Sequence, residues 1–154
     1  MRVLAQFDVV IPKYAADDHR MSGFYSATAK VNKLAEEQPG FIWRHTEDDV
    51  AEGARLFGEG VLYTLSMWRS VEELRLYLYG TPHFEYFKRG REWFERPMAP
   101  HVVLWWIEDV YRPTLADAHY RLDLLRANGA SDAAFDLAYR QAWGTKPTLT
   151  EVTS

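Results

Sequence analysis

Apolar and polar positions along the chain divide it into short alternating segments with recognisable ends. Val3 to Ile11 is apolar and rich in β-branched residues until Pro12 stops it, which predicts a first strand. From Arg20 to Glu37 the apolar positions Met21, Phe24, Tyr25, Val31 and Ala35 recur at helical spacing and end at Pro39-Gly40, which predicts a first helix. Phe41 to Thr46 predicts a second strand. The acidic, glycine-containing stretch Glu47 to Gly60 predicts a long loop leading into a third strand, Val61 to Trp68. Ser70-Val-Glu-Glu73 has the capping-box pattern of a helix start, and that helix is expected to run to about Tyr79. Thr81-Pro82 opens another, continuous to Arg96 and closed by Pro97 and Pro100. His101 to Ile107 suits a buried strand. Thr114 to Asn128 suits an amphipathic helix ended by Gly129.

The order β-α-β-β-α-β followed by a helix is that of a ferredoxin-like α+β unit, an antiparallel sheet with helices on one face. The bare face then needs a cover. A second copy packed sheet to sheet supplies one, so a homodimer with the form of a dimeric α/β barrel is expected. The domain is expected to span 1–130. Residues 131–154 are read as an extension, helical at first and a loose tail beyond Gly144.

Composition narrows the class of protein. With 154 residues the chain is about one domain long. Its net charge of −4, with basic residues scattered among acidic ones, argues against nucleic-acid binding. The absence of cysteine excludes disulfides, thiolate metal sites and cysteine nucleophiles, and fits a reducing compartment. No signal-peptide pattern opens the chain and no apolar run approaches membrane-spanning length, so a cytoplasmic protein without membrane partners is expected. There is no phosphate-binding glycine loop, dinucleotide fingerprint or nucleophile elbow. Two acidic stretches, Asp17-Asp18-His19 and His45 with Glu47, Asp48 and Asp49, lack the spacing of known metal sites and are read as solvated turns. Neither metal nor cofactor is expected.

The densest chemical signal is Tyr77 to Trp106, where nine of thirty residues are aromatic. On a helical wheel over Pro82 to Arg96, His83 and Gly90 fall in the middle of an apolar arc that includes Phe84, Phe87, Trp93 and Phe94, and Arg91 falls near its edge. A guanidinium among apolar side chains needs an anion, an acceptor, an aromatic face or a route to water. On the first helix Thr28 and Asn32 lie inside the stripe of Met21, Phe24, Tyr25 and Ala35. Together these predict a small-molecule pocket with aromatic walls and a few orienting polar groups. His83 and Arg91 are its candidate catalytic residues, and Asn32, Thr28, Phe24, Phe87 and Phe94 its candidate lining. Tyr63, Trp68, Trp105 and Arg44 can join from the strands, but alternation alone does not say which strand face meets the helices. Ordinary structural roles compete for each: a satisfied core histidine for His83, a snorkelling side chain for Arg91, carbonyl back-bonding for Thr28 and a helix-helix hydrogen bond for Asn32.

The runs Gly40-Phe-Ile-Trp-Arg44 and Ser66-Met-Trp-Arg-Ser-Val-Glu-Glu-Leu74, the block His83 to Arg96, and Val103-Leu-Trp-Trp106 with Pro113-Thr114 together resemble the DUF3291 family, related to the antibiotic-biosynthesis-type monooxygenases of the dimeric α/β-barrel superfamily. The resemblance covers roughly residues 3 to 129. It implies a pocket between helices and sheet, and a superfamily of cofactor-free monooxygenases, cyclases, isomerases and haem-binding proteins. Three functions follow as expectations. The first is a cofactor-independent tailoring enzyme acting on a hydrophobic or aromatic metabolite, with His83 as general acid or base, Arg91 stabilising negative charge and Asn32 orienting a carbonyl. The second is a non-catalytic ligand-binding or structural dimer. The third is haem binding through His83, disfavoured because Phe87 stands at the position of the ligand histidine in haem-degrading relatives.

Overall fold

The computed structural model describes residues 1–47 and 49–143. β1 (Arg2–Val10), β2 (Phe41–Arg44), β3 (Leu62–Trp68) and β4 (Val102–Glu108) form one antiparallel sheet in the order β2-β3-β1-β4. This is the strand order of a ferredoxin-like α+β fold, as the element sequence implies. β1 lies between two partners, with Phe7 opposite Leu65 of β3 on one side and Val103 of β4 on the other. The helices α1 (Ser22–Glu36) and α3 (Val71–Gly80) are those of the β-α-β-β-α-β unit. α3 begins where its cap predicts, with the Ser70 side chain accepting from the Glu73 amide at 3.2 Å. A short 3-10 turn, His19–Met21, precedes α1, and the Asp18 side chain caps it by accepting from the Arg20 amide.

Alternation along the strands separates two cores. On one face Leu4, Trp68 and Leu104 meet Val31, Leu34 and Ala35 of α1 and Val71, Leu74 and Tyr77 of α3. On the other, Ala5, Phe7, Val9, Leu65, Val103 and Trp105 are covered from within the chain. Leu115, Ala118, Leu122 and Leu125 of α6 (Leu115–Asn128) lie against them, joined by Leu56 and Phe57 of α2 (Val50–Phe57). The face expected to need a second copy is therefore occupied by the chain's own α2 and α6, and the argument for a sheet-to-sheet homodimer loses its premise.

α2 replaces part of the loop expected over Glu47 to Gly60. Its central Gly53 hides it from a periodicity search, and the reason for that glycine is steric: a Cβ there would come within 2.8 Å of the Tyr63 ring. The single helix expected over Pro82 to Arg96 is also two, α4 (His83–Lys88) and α5 (Gly90–Trp93). Arg89 between them has φ −85° and ψ 0°, and Phe94 is extended. The chain then runs beside the end of β1, with the Glu95 amide donating to the Ile11 carbonyl and the Lys13 amide to that of Trp93.

The segment after Gly129 is a non-helical extension of the core rather than an appendage. Phe135 exchanges two backbone hydrogen bonds with Leu104, at 2.7 and 2.9 Å, and its ring is fully buried. The only helical structure described there is a 3-10 turn, Arg140–Ala142, and the tail expected from Gly144 lies outside the described residues. No helix among the described residues is long and apolar enough to cross a membrane.

Candidate functional site

On the sheet face beneath α1 and α3 the apolar pattern breaks near the C-terminal end of β1. Gln6 and Asp8 are half-buried and point to this face, as do Ser66 and Thr64, their partners across β3. Thr64 is exposed although helices cover the same face a few residues away, so this end of the face is an open polar patch. A chain of hydrogen bonds fixes that patch. The Trp68 indole donates to Ser66 Oγ at 2.9 Å, Ser66 donates to Gln6 Oε1 at 2.7 Å, and the Gln6 amide donates to Thr64 Oγ1 at 3.3 Å.

His83 stands at the start of α4. Its Nδ1 lies 3.1 Å from the Leu78 carbonyl, which only accepts, so this nitrogen carries the proton and Nε2 of the neutral ring keeps its lone pair. The ring leans on Tyr77, centroids 4.8 Å apart, and Tyr77 in turn stacks on Trp68 at 5.0 Å. Burial pushes the His83 imidazole below its ordinary value, against smaller upward pulls from the Leu78 carbonyl and the Asp8 charge. Burial likewise pushes the Tyr77 phenol upward. Its hydroxyl donates to the Val31 carbonyl of α1 at 3.3 Å, tying the two helices together.

Asp8 Oδ1 accepts from His101 Nδ1 at 2.9 Å, and about a third of each side chain stays open to solvent. The carboxylate bond raises the His101 imidazole above its ordinary value, opposed by partial burial and by the Arg126 cation. Neither Asp8 nor His101 emerges from the expectations above. The signal was present in the strand: Val3, Ala5, Phe7 and Val9 are apolar while Gln6 and Asp8 interrupt the alternate face of an interior strand.

The expected site residues divide into separate groups. Trp68 lies below His83 through Tyr77, and Phe87, mostly exposed, faces the same imidazole at 6.5 Å. Phe24 and Phe94 form a second aromatic cluster with Trp93, the Phe24 ring meeting that of Phe94 edge-on at 5.0 Å. Asn32 is half-buried on α1. Thr28 is exposed and donates to the Phe24 carbonyl at 3.0 Å, the ordinary helical role. Tyr63 and Trp105 lie on the opposite face of the sheet, against α2 and α6, and cannot share a pocket with His83. Arg44 pairs with Glu36 at 2.6 Å.

Arg91 is exposed, and its side chain has no hydrogen bond or ion pair among the described residues. The break at Arg89 is the cause, because the phase of a wheel drawn through one continuous helix does not carry across it to Arg91. Arg89, not Arg91, lies against the apolar cluster. It stacks over Trp93 at 4.6 Å and pairs with Glu92 at 3.0 Å. No group of three or more metal-ligating side chains stands together among the described residues, and Asp48 is outside them.

A four-stranded antiparallel sheet in the order β2-β3-β1-β4 with its crossing helices makes this a ferredoxin-like α+β protein. The chain matches the family described as a domain of unknown function, DUF3291, over residues 3–150, and it belongs to that family. The match extends through the segment that adds Phe135 to the core. No protein of curated function matches the chain. Among solved structures, that of PA3566 from Pseudomonas aeruginosa is similar at 15% identity over 74% of this chain and 97% of that one, with a TM-score of 0.47.

Proposed function

We propose that the sheet face beside His83 binds a small hydrophobic or aromatic molecule, and that the protein is a cofactor-independent tailoring enzyme using His83 as its acid–base group. The observation that carries this is an imidazole held at Nδ1 by the Leu78 carbonyl and seated through Tyr77 on Trp68, on the same side of the sheet as a polar row, Gln6, Asp8 and Thr64. Aromatic rings supply the walls and the polar row supplies hydrogen bonds for one polar edge of a ligand. The resemblance to antibiotic-biosynthesis-type monooxygenases points in the same direction, toward monooxygenase, cyclase or isomerase chemistry. Arg91 drops out of this proposal because of its exposure, and with it the anion-holding role expected of it.

A bicyclic aromatic probe tests the site. 2-Naphthol is expected to quench tryptophan fluorescence saturably, and His83→Gln is expected to weaken its binding at least tenfold with the far-ultraviolet circular dichroism unchanged. Equal binding by the variant and the parent would refute the site.

The Leu78 hydrogen bond that fixes His83 also satisfies it as a structural residue, which favours a non-catalytic binder as the second reading. Probe binding without any turnover of carbonyl substrates would select it. Haem binding is a third. Titration of the protein with haemin, without a Soret shift on saturation, would dismiss it.

A further inference from the structure

The outer side of α3 carries an arrangement separate from His83. Tyr77 turns inward onto Trp68, whereas Arg75 and Tyr79, four residues apart, share a side of the helix that meets the segment after α6. Between helix and segment lies an open cavity of about 430 Å³, lined by Arg75, Tyr79, Leu137, Ala138, Arg140 and Trp143. Leu137 and Trp143 are half-buried and pack against the core that holds Leu74, Tyr77 and Phe135, so this wall is anchored.

Trp143 is the centre of the cavity. Its indole Nε1–H donates to the Leu137 carbonyl at 2.9 Å, which fixes the ring, and the ring gathers two guanidiniums. Arg75 Cζ stands 4.1 Å from the ring centroid and Arg140 Cζ 4.9 Å, and Arg75 also reaches the Tyr79 ring at 5.9 Å. Two cations on one indole repel each other, and arginine does not relieve this by losing its proton. An anion held by both does.

The carboxylates of the same segment are turned elsewhere. Asp136 accepts from the Ala138 amide at 3.0 Å, and Asp132 from the Tyr139 hydroxyl at 2.7 Å. Among the described residues neither Arg75 nor Arg140 has an ion pair or a side-chain hydrogen bond. A guanidinium set over a ring keeps its N–H donors for other partners, and that fork of donors matches a carboxylate or a phosphate.

We infer that this cavity binds an organic oxyanion, a carboxylate or phosphate held by Arg75 and Arg140 with its apolar body against Tyr79 and Leu137. The volume is that of a ligand pocket rather than of a lone inorganic ion. The site stands apart from the function proposed around His83 and does not depend on it.

Calorimetric titration of the full-length protein with 2-naphthoate at low ionic strength provides the test. One saturable event is expected, weakened at least tenfold by Arg75→Gln and by Arg140→Gln. Sodium chloride at about 0.5 M is expected to weaken it too, because charge attraction across the open cavity is screened. Arg140 is exposed, so its replacement removes charge without opening the core, and far-ultraviolet circular dichroism checks the fold of each variant. His83→Gln is expected to bind 2-naphthoate within twofold of the parent. A parallel titration with 2-naphthyl phosphate names the headgroup, the tighter of the two ligands identifying it as phosphate or carboxylate.

NMR gives a second readout. The Trp143 indole N–H signal, identified by its loss in Trp143→Phe, is expected to shift on saturation with the tighter ligand. Equal affinity in the parent and both arginine variants would overturn the inference. So would saturable binding that leaves the Trp143 signal in place, or binding lost in His83→Gln alone, which would put the anion beside His83 instead. Absence of binding of both ligands to the parent would overturn the site outright, with the 2-naphthol reading of the His83 region still to stand or fall by its own assay.

Discussion

The imidazole of His83 leans on the ring of Tyr77 with centroids 4.8 Å apart and planes at 46°, so the candidate base of α4 is seated on a side chain of α3. Tyr77 is stacked on Trp68 below it and bonded to the Val31 carbonyl beside it. The seat of the base is therefore built from one strand and two helices. Removing the hydroxyl alone, by Tyr77→Phe, is expected to cost about 1 kcal/mol of stability through the lost α1 bond. The stacking remains. Probe binding by Tyr77→Phe within twofold of the parent, with a lowered denaturant midpoint, is the expected pair of measurements.

His83 and His101 have opposite linkage to pH. His83 is shifted down in the folded protein, so below about pH 6.5 the unfolded chain binds the proton more readily, and stability falls as the medium is acidified. His101 is shifted up, so its contribution is fully present below about pH 6.5 and is lost as pH rises through its folded value. Urea unfolding at pH 5.5 and pH 8 separates them. His101→Gln is expected to lose more stability than the parent on going to the acid condition, and His83→Gln less. The same pH dependence in all three proteins would contradict the assignment of these environments.

Gly40 is needed for space. A Cβ there would lie 2.0 Å from Glu73 Oε2 and 2.4 Å from Glu73 Cβ, and the second contact cannot be relieved by turning a flexible chain end. Gly40→Ala is expected to push α3 off the strand and destabilise by about 1–3 kcal/mol, a drop of several degrees in Tm for a chain of this size. Calorimetry checks it.

Phe135 anchors the segment beyond α6. Phe135→Ala removes a fully buried ring that packs on Trp106 at 5.9 Å and Tyr139 at 5.4 Å, and is expected to cost about 3–5 kcal/mol. Ending the chain at residue 130 removes the same contacts and the backbone pairing with Leu104. A shortened chain as stable as the parent would show that the segment is an appendage after all.

Arg91→Ala is expected to leave 2-naphthol binding within twofold of the parent, since its side chain faces solvent. A tenfold loss would return Arg91 to the site.

All four strands, α1, α3 and α6 were legible in the sequence because each carries its own period and its own ends: Pro12 after β1, Ser70 before α3, and Gly129 after α6. Three features were not. The length of α2 is eight residues, one of them a glycine kept for the approach of Tyr63, so its pattern is too short to read. The Arg89 break leaves no composition signal, because Lys88-Arg89-Gly90 is an acceptable helical run until tertiary contacts with β1 pull Phe94 extended. The identity of the covered face depends on which helices follow which strands in space, and that decision moved Tyr63 and Trp105 away from His83 while bringing in Asp8 and His101. Of the candidate site, the histidine at 83 was legible as a polar residue in an apolar arc. Its chemical neighbours were hidden in strands where one polar residue looks like any other.

The helices α2 and α6 give the sheet a lining on its second side from the same polypeptide. A sheet clad in this way carries cover for both of its sides within one molecule.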